Sequence, residues 1–406
     1  MTTQIARPRP RLRVLLFRLH AWLGLHTFLL YFAMFLSGTL IVFIGEIEAL
    51  GSAPMRAVNG GEKSDDFGAA FEALRAARPE AQPLIIYRSE TSWIADNIRI
   101  SAANGRQANV WADPVTGLYL GETDVTLFRR LIRSFHASFI TDKTPGGVLA
   151  SALSLPLIFF IVTGLMTYRR FWRGIFRVPP RTKGSRAFWV GMHRLVALWS
   201  LPFLILIALT GVYFLASSLG IGGSFYPSAA PVEARETALP QDFDGAALDR
   251  ATAVARAIFP GLDITRIDLP RGPTDPIRFY GSADAVLVEA RGNGVFVDPT
   301  NFTVLGQYRA SDLNLSTRLI MAVEQLHYGL WGGVLIRVLW LVLGALTCLL
   351  TLAGGMIFAA RLAEGQEPHQ GSALSRIWTG MSYLKWGLVL FFMAIMVLAL
   401  LRHGPF

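Results

Sequence analysis

The chain has 406 residues, of which 52% are hydrophobic and 16% charged, with a formal net charge of +10. That balance excludes an ordinary soluble globular domain, in which about a quarter of residues are charged, and points to a membrane protein. The basic excess flanks apolar runs, where charge placement at a membrane accounts for it, so no nucleic-acid partner is implied.

Residues 1–47 hold a basic N-terminus (Arg7, Arg9, Arg11, Arg13, Arg18) and an apolar run at 27–47. The run exceeds the roughly 7–15 residues of a signal-peptide core and no clear cleavage site follows, so it is expected to remain as an uncleaved anchor. Residues 48–144 are polar: the pattern predicts a helix at 66–78, strand-like alternation at 84–88 and 98–101, and "VWADPVTGLYLGE" at 110–122, with a juxtamembrane helix behind them. Asp113-Pro114 there breaks one strand and starts a turn. Residues 145–219 contain a span at 147–168, a basic loop (Arg169, Arg170, Arg173, Arg177, Arg181, Lys183, Arg186) and a span at 195–219. Residues 220–330 repeat the polar pattern: a helix at 245–258, alternation at 264–269 and 286–290, and "VFVDPTNFTVLGQ" at 295–307, again leading to a juxtamembrane helix. Residues 331–406 add spans at 334–360 and 384–401. The expected fold is a mainly α membrane protein, a five-span helical bundle carrying two small α+β modules as an internal repeat.

The two basic segments contain no acid, which places them in the cytoplasm. The modules and the C-terminus then face a periplasm-like compartment. Cys348 is the single cysteine, so neither a disulfide framework nor a C-x-x-C-H haem attachment is available.

Histidines carry the chemical signal. His20 lies 18 residues before Gly38 and His193 18 before Gly211, while His136 lies 28 before Gly164 and His327 28 before Gly355. An ionisable side chain at a membrane span is a functional candidate, and paired imidazoles suit haem iron. Topology sorts the four into an inner pair, His20 and His193, and an outer pair, His136 and His327. Eighteen residues are five helical turns, about 27 Å; a glycine at that level leaves room for a flat macrocycle, although glycines in spans also serve helix packing. His26, six residues from His20, points about 120° away and is the alternative inner ligand. Arg129, Arg130, Arg133 and Arg318 near the outer pair are candidates for haem propionates. Glu324-x-x-His327 has di-iron spacing, but the matching position before His136 is Arg133. His369 and His403 read as ordinary exposed residues. "LGIGGS" at 219–224 follows a span and reads as linker, so no dinucleotide fold is present.

"LHAWLGL" with Ser37-Gly38, "SFHASF", "GMHRLVALWSLPFLILIALTG", "EQLHYGLWGG" and the two Asp-Pro turns together resemble the PepSY-associated transmembrane family, in particular its inner-membrane siderophore-iron reductases. The resemblance implies PepSY-like modules at 48–144 and 220–330, two non-covalent haem b groups on His20, His193, His136 and His327, and electron transfer across the bacterial inner membrane to a periplasmic ferric siderophore. Trp93, Trp111, Tyr119, Tyr328 and Trp331 are candidates to line a substrate pocket. Electrons would come from a quinol or a separate reductase. Two other functions fit the same pattern: a di-haem relay to another periplasmic acceptor, and a haem-free PepSY protein that binds or regulates a partner.

Overall fold

The computed structural model describes residues 12–59, 63–64, 66–124, 127–168, 176, 178–222, 225–229, 231–364 and 372–403. Arg7, Arg9, Arg11, Arg169, Arg170, Arg173, Arg177 and His369 lie outside them. The chain divides into two units, one of Met1–Val42, Leu131–Ile221 and Gly332–Phe406, the other of Phe43–Arg130 and Gly222–Trp331.

The first unit is helical. Its elements are α1 (Leu12–Ile41), the C-terminal two-thirds of α4 (Leu127–Ser138), α5 (Lys143–Ala152), α6 (Ser154–Thr167), α7 (Ser185–Ser218), α10 (Gly333–Ala363), α11 (Ala373–Gly380) and α12 (Leu384–His403). Among the described residues, five helical stretches are long and apolar enough to cross a membrane: Leu12–Ile41, Thr144–Thr167, Ser185–Ser218, Gly333–Ala363 and Leu384–Leu401. Helices α1 and α7 start well before the apolar runs that announced them, because no helix breaker separates the basic flank from the run and arginine stems can reach back to water. His20 therefore sits about two turns inside α1 instead of at its mouth.

Arginines close the helix ends. Arg13 Nη2 donates to Thr167 O at 2.6 Å, on the last residue of α6, and buried Arg337 on α10 donates through Nη2 to Val42 O at 2.7 Å, just past α1. Each satisfies a carbonyl that the helix leaves without a partner. Helix α10 packs along both α1 and α7. Its Gly344 meets Thr39 so closely that an added Cβ would lie 2.3 Å from Thr39 Oγ1, the small-residue contact that lets apolar helices approach.

The second unit contains α2 (Ile44–Gly51), α3 (Gly68–Ala77), β1 (Gln82–Tyr87), β2 (Asp96–Ser101), β3 (Gln107–Ala112), β4 (Tyr119–Asp124), α8 (Gly245–Ile258), β5 (Asp263–Asp268), β6 (Ile277–Ser282), β7 (Gly294–Val297), β8 (Val304–Tyr308) and α9 (Leu315–Tyr328). A helix followed by four strands occurs twice, and both sets join one antiparallel sheet ordered β4-β3-β2-β1-β5-β6-β7-β8. The joint is the β1–β5 pair, with Ile86 opposite Ile267 and Tyr87 opposite Arg266. Alternation, with a register irregularity between Ile264 and Arg266 on β5, brings Ile86, Ile98, Ile100, Val110, Ile264, Ile267, Phe279 and Val295 into one core with Phe71, Leu74, Leu248 and Ala251 of α3 and α8. The two helices touch at glycines: a Cβ on Gly68 would lie 2.4 Å from Gly245 O. Each also caps the other, since Asp249 accepts from Gly68 N at 2.7 Å and Glu72 accepts from Gly245 N.

Both Asp-Pro segments are turns between strands. Asp113 is buried, which pushes its carboxyl upward, but backbone N–H groups of Asn59, Thr116, Val58 and Val115 outweigh that and hold it well below the usual carboxylate range. One expected strand is absent. Residues 286–290 alternate in polarity but form a loop entering a 3-10 turn, with Leu287 at φ 56° and Val286 exposed, whereas the strand beside β5 is Ile277–Ser282. Alternation in the segment 286–290 reflects Val288 packing beside Tyr280, Phe296 and Met321, not a pleat.

Candidate histidine site in the helical unit

Three of the four matched histidines lie in the helical unit, and each is gripped by a neighbouring helix. His20 on α1 has Nδ1 2.7 Å from Thr163 Oγ1 on α6, with Phe160 edge-on at a ring separation of 5.2 Å. His193 on α7 has Nδ1 3.1 Å from Leu350 O on α10. His136 on α4 has Nδ1 3.1 Å from both Met34 O and Ser37 Oγ on α1. His20 and His193 lie within electrostatic range of each other.

These bonds fix the tautomer. A carbonyl only accepts, so His193 and His136 must carry their proton on Nδ1. The hydroxyl of Thr163 already donates to Phe159 O at 2.6 Å and that of Ser37 to Met34 O at 2.9 Å, so toward the imidazoles these oxygens accept as well. In all three rings Nε2 is left with its lone pair, and Nδ1–H is held in place. That is the arrangement a metal-ligating histidine uses, with the second nitrogen anchored to orient the ring.

Glycines stand beside the same rings. A Cβ on Gly38 would lie 2.8 Å from His136 Cε1, and one on Gly164 3.9 Å from His20 Cε1. Beside His193 the glycine is Gly354, at 3.6 Å from Cε1; Gly355 faces Phe28 and Ile377, and Gly211 faces Ser154. The count of 28 residues pointed to the second glycine of the Gly354-Gly355 pair, and the helix turns the first one toward the ring. In both Ser37-Gly38 and Thr163-Gly164 the hydroxyl holds an imidazole, but only Gly38 lies too close to its ring for a side chain; a Cβ on Gly164 would meet His20 at ordinary contact distance. Sequence reasoning marked Ser37 only as part of the Ser37-Gly38 motif, not as a histidine partner, and did not single out Thr163 or Leu350; the repeated hydroxyl-glycine dipeptide was the available signal for Thr163, and a backbone carbonyl leaves none.

Helix α4 is amphipathic, with Leu131 and Phe135 packing against a cluster formed by Phe139, Ile140, Ala150, Ile395 and Ala399. Directly after it Phe139 and Ile140 take φ values of 49° and 61°, a region costing such side chains about 1–3 kcal/mol each. Both are buried in that same cluster, which holds the turn behind His136.

The remaining candidates are dispersed. His26 Nδ1 bonds Trp22 O of its own helix at 2.7 Å, with its ring against Trp22. His327 belongs to the other unit, near the end of α9, half-buried and edge-on to Tyr328. Arg129 pairs with Glu48 at 2.8 Å, Arg130 and Arg133 are exposed on α4, and Arg318 is half-buried on α9. Trp111 is buried, its Nε1 donating to Thr123 Oγ1 at 2.8 Å, and Tyr119 packs on the sheet core, so neither presents a free ring. Trp93, Tyr328 and Trp331 are exposed. Among the described residues no three His, Cys, Asp or Glu side chains gather in one place.

The model of the PepSY-associated transmembrane region matches residues 17–361. The chain belongs to the PepSY-associated transmembrane family. A relative within reach of sequence comparison, the uncharacterized protein PA4219 of Pseudomonas aeruginosa, is 26% identical over 260 residues, covering 58% of this chain and 64% of the relative. The shared region therefore spans less than two-thirds of that protein. The family match covers every histidine discussed above except His369 and His403, and all of the glycines beside the rings.

Proposed function

We propose that this family member is an inner-membrane haem b reductase that passes electrons to a ferric siderophore in the periplasm, with His20 and His193 as the inner ligand pair and His136 with His327, a pairing taken from sequence spacing, as the outer one. The observation that carries the reading is the triplet of imidazoles whose Nδ1–H is tied to another helix and whose Nε2 keeps its lone pair. Haem b, when bound, would supply one-electron transfer between the two sides of the membrane. Phe160 packs edge-on against His20, and Gly38 lets the His136 ring approach the backbone of α1 more closely than any side chain would allow. The basic flanks set the N-terminus and the loop before α7 in the cytoplasm, and hence the sheet unit and C-terminus in the periplasm. There the ferric chelate accepts one electron and becomes ferrous, which the chelator holds less tightly.

The deciding measurement is a reduced-minus-oxidised absorbance spectrum of the detergent-purified full chain, with haem quantified per chain. About two b-type haems, and faster reoxidation on adding ferric hydroxamate siderophores, is the expected result. Colourless protein after expression with ample haem overturns the reading and leaves a PepSY membrane protein that binds a partner; haem without a siderophore response leaves a relay to another acceptor.

A further inference from the structure

The helical unit carries an open cavity of about 570 Å³, a groove in its surface more than an enclosed chamber, lined by Arg181, Ser185, Phe188, Trp189, Met192 and Leu349. Its size falls within the roughly 300–1,000 Å³ of small-molecule sites. Ser185, Phe188, Trp189 and Met192 recur at three- and four-residue intervals along the first turns of α7, so they share one face. Trp189 and His193 are four residues apart on that helix, one turn, and Leu349 adjoins Leu350, whose carbonyl holds His193. The cavity therefore opens one helical turn from a candidate haem ligand. Two aromatic rings, a methionine and a leucine make its walls apolar. Its polar groups are Arg181, whose guanidinium lies 5.5 Å from the Phe188 ring centre, and the Ser185 hydroxyl.

We infer that this cavity is the electron entry site and that it takes a membrane quinol. The inference rests on the reductase reading, which needs a donor on the side of the basic flanks. The wall chemistry selects a flat, apolar molecule with oxygen atoms at its edge: the rings and Met192 pack on its faces, Arg181 donates to a ring oxygen, and Ser185 accepts from a ring hydroxyl. A quinol meets those terms and is already dissolved in the bilayer around α7. The reaction balances as quinol going to quinone with loss of two protons and two electrons; the protons leave to water at the cavity mouth, and the electrons reduce two ferric chelates, one each. The positive charge of Arg181 favours the deprotonated ring oxygen from which an electron departs.

The test uses the full-length protein in detergent with decylubiquinone and decylubiquinol as probes. Decylubiquinone is expected to bind once per chain by equilibrium dialysis. Met192→Trp, which fills the cavity, and Trp189→Leu, which removes a wall, are each expected to weaken binding at least tenfold while haem content stays at the wild-type level. Under anaerobic conditions decylubiquinol should reduce the wild-type absorbance bands, and both variants should slow that step while dithionite reduces them normally. Wild-type protein that fails to bind decylubiquinone, or two variants that both bind it as wild type does, overturns the quinol site. If haem is present and dithionite supports ferric reduction in that case, the reductase reading stands and a soluble reductase is the donor. If no haem is present but the quinone binds and the variants weaken it, the cavity stands and the reductase reading falls.

Discussion

Ser37-Gly38 on α1 and Thr210-Gly211 on α7 occupy the same place in their helices, since each glycine follows a histidine by 18 residues. Their surroundings differ. Ser37 and Gly38 face the His136 ring, one accepting its N–H and the other giving it space, whereas Thr210 bonds back to Leu206 O of its own helix and Gly211 lies against Ser154. The pair that does resemble Ser37-Gly38 is Thr163-Gly164, on a helix outside the 18-residue relation, where the hydroxyl and the glycine meet His20. Spacing within a helix sets which face a residue occupies; the neighbouring helix decides what that face does.

The largest expected effect comes from removing a ring. His193→Ala should lower haem content from about two to about one per chain, measured by pyridine haemochrome, with the remaining band unchanged. An unchanged haem count would remove His193 from the inner pair.

Next, matched glycine substitutions separate the two dipeptides. Gly38→Ala places a methyl 2.8 Å from His136 Cε1, and Gly211→Ala places one 2.8 Å from Ser154 Cβ. Gly38→Ala is expected to displace the imidazole and weaken haem retention at the outer site. Gly211→Ala should leave the spectrum unaltered and change only thermal stability, because overpacking of about 1–3 kcal/mol is partly offset by the better helix propensity of alanine, about 1 kcal/mol. Equal spectral effects would show that the comparison has been drawn at the wrong residues.

Hydroxyl removal has a smaller effect. Thr163→Val keeps the shape but removes the acceptor for His20 Nδ1–H; a hydrogen bond worth about 1 kcal/mol corresponds to roughly 40 mV for a one-electron couple. The inner midpoint potential should rise by that order, because a bonded Nδ1–H makes Nε2 more basic and favours the ferric state. Ser37→Ala should shift the outer potential less, since Met34 O continues to accept from His136. Potentiometric titration of both variants checks the order, and a larger shift in Ser37→Ala would reverse the roles assigned to the two acceptors.

The smallest effect is expected at His26. Its ring is tied to Trp22 of its own helix, so His26→Ala should leave haem content and spectra unchanged. Loss of one haem in that variant would transfer the inner ligand role from His20.

Parts of this arrangement are legible in the residues. The apolar runs located the spans because a bilayer demands length and hydrophobicity, both carried by each residue separately. The Asp-Pro turns and the helices at 68–77 and 245–258 were visible for the same local reason: proline fixes one backbone angle, and a helix repeats its pattern within a few residues. Failures occur where pairing is distant. Residues 277–282 became a strand by bonding to β5 and β7, while the better alternation at 286–290 stayed a loop in the connection between β6 and β7, which pair directly with each other. Likewise two polar stretches with the same pattern gave no hint that β1 and β5 would join them into a single sheet.

The sequence by itself determined a five-span membrane chain, two helix-and-strand segments and a set of histidines at repeated distances, because hydrophobicity, turn chemistry and helical period are properties of short stretches. Only the tertiary structure decided that His20 would meet Thr163, that His193 would meet the carbonyl of Leu350 and that Gly354, not its neighbour, would stand beside the ring. Those contacts depend on how far one helix is rotated and slid against another. A rotation of a single residue, about 100°, exchanges the glycine that faces an imidazole for one that faces a phenylalanine, and no count along one chain segment fixes that angle.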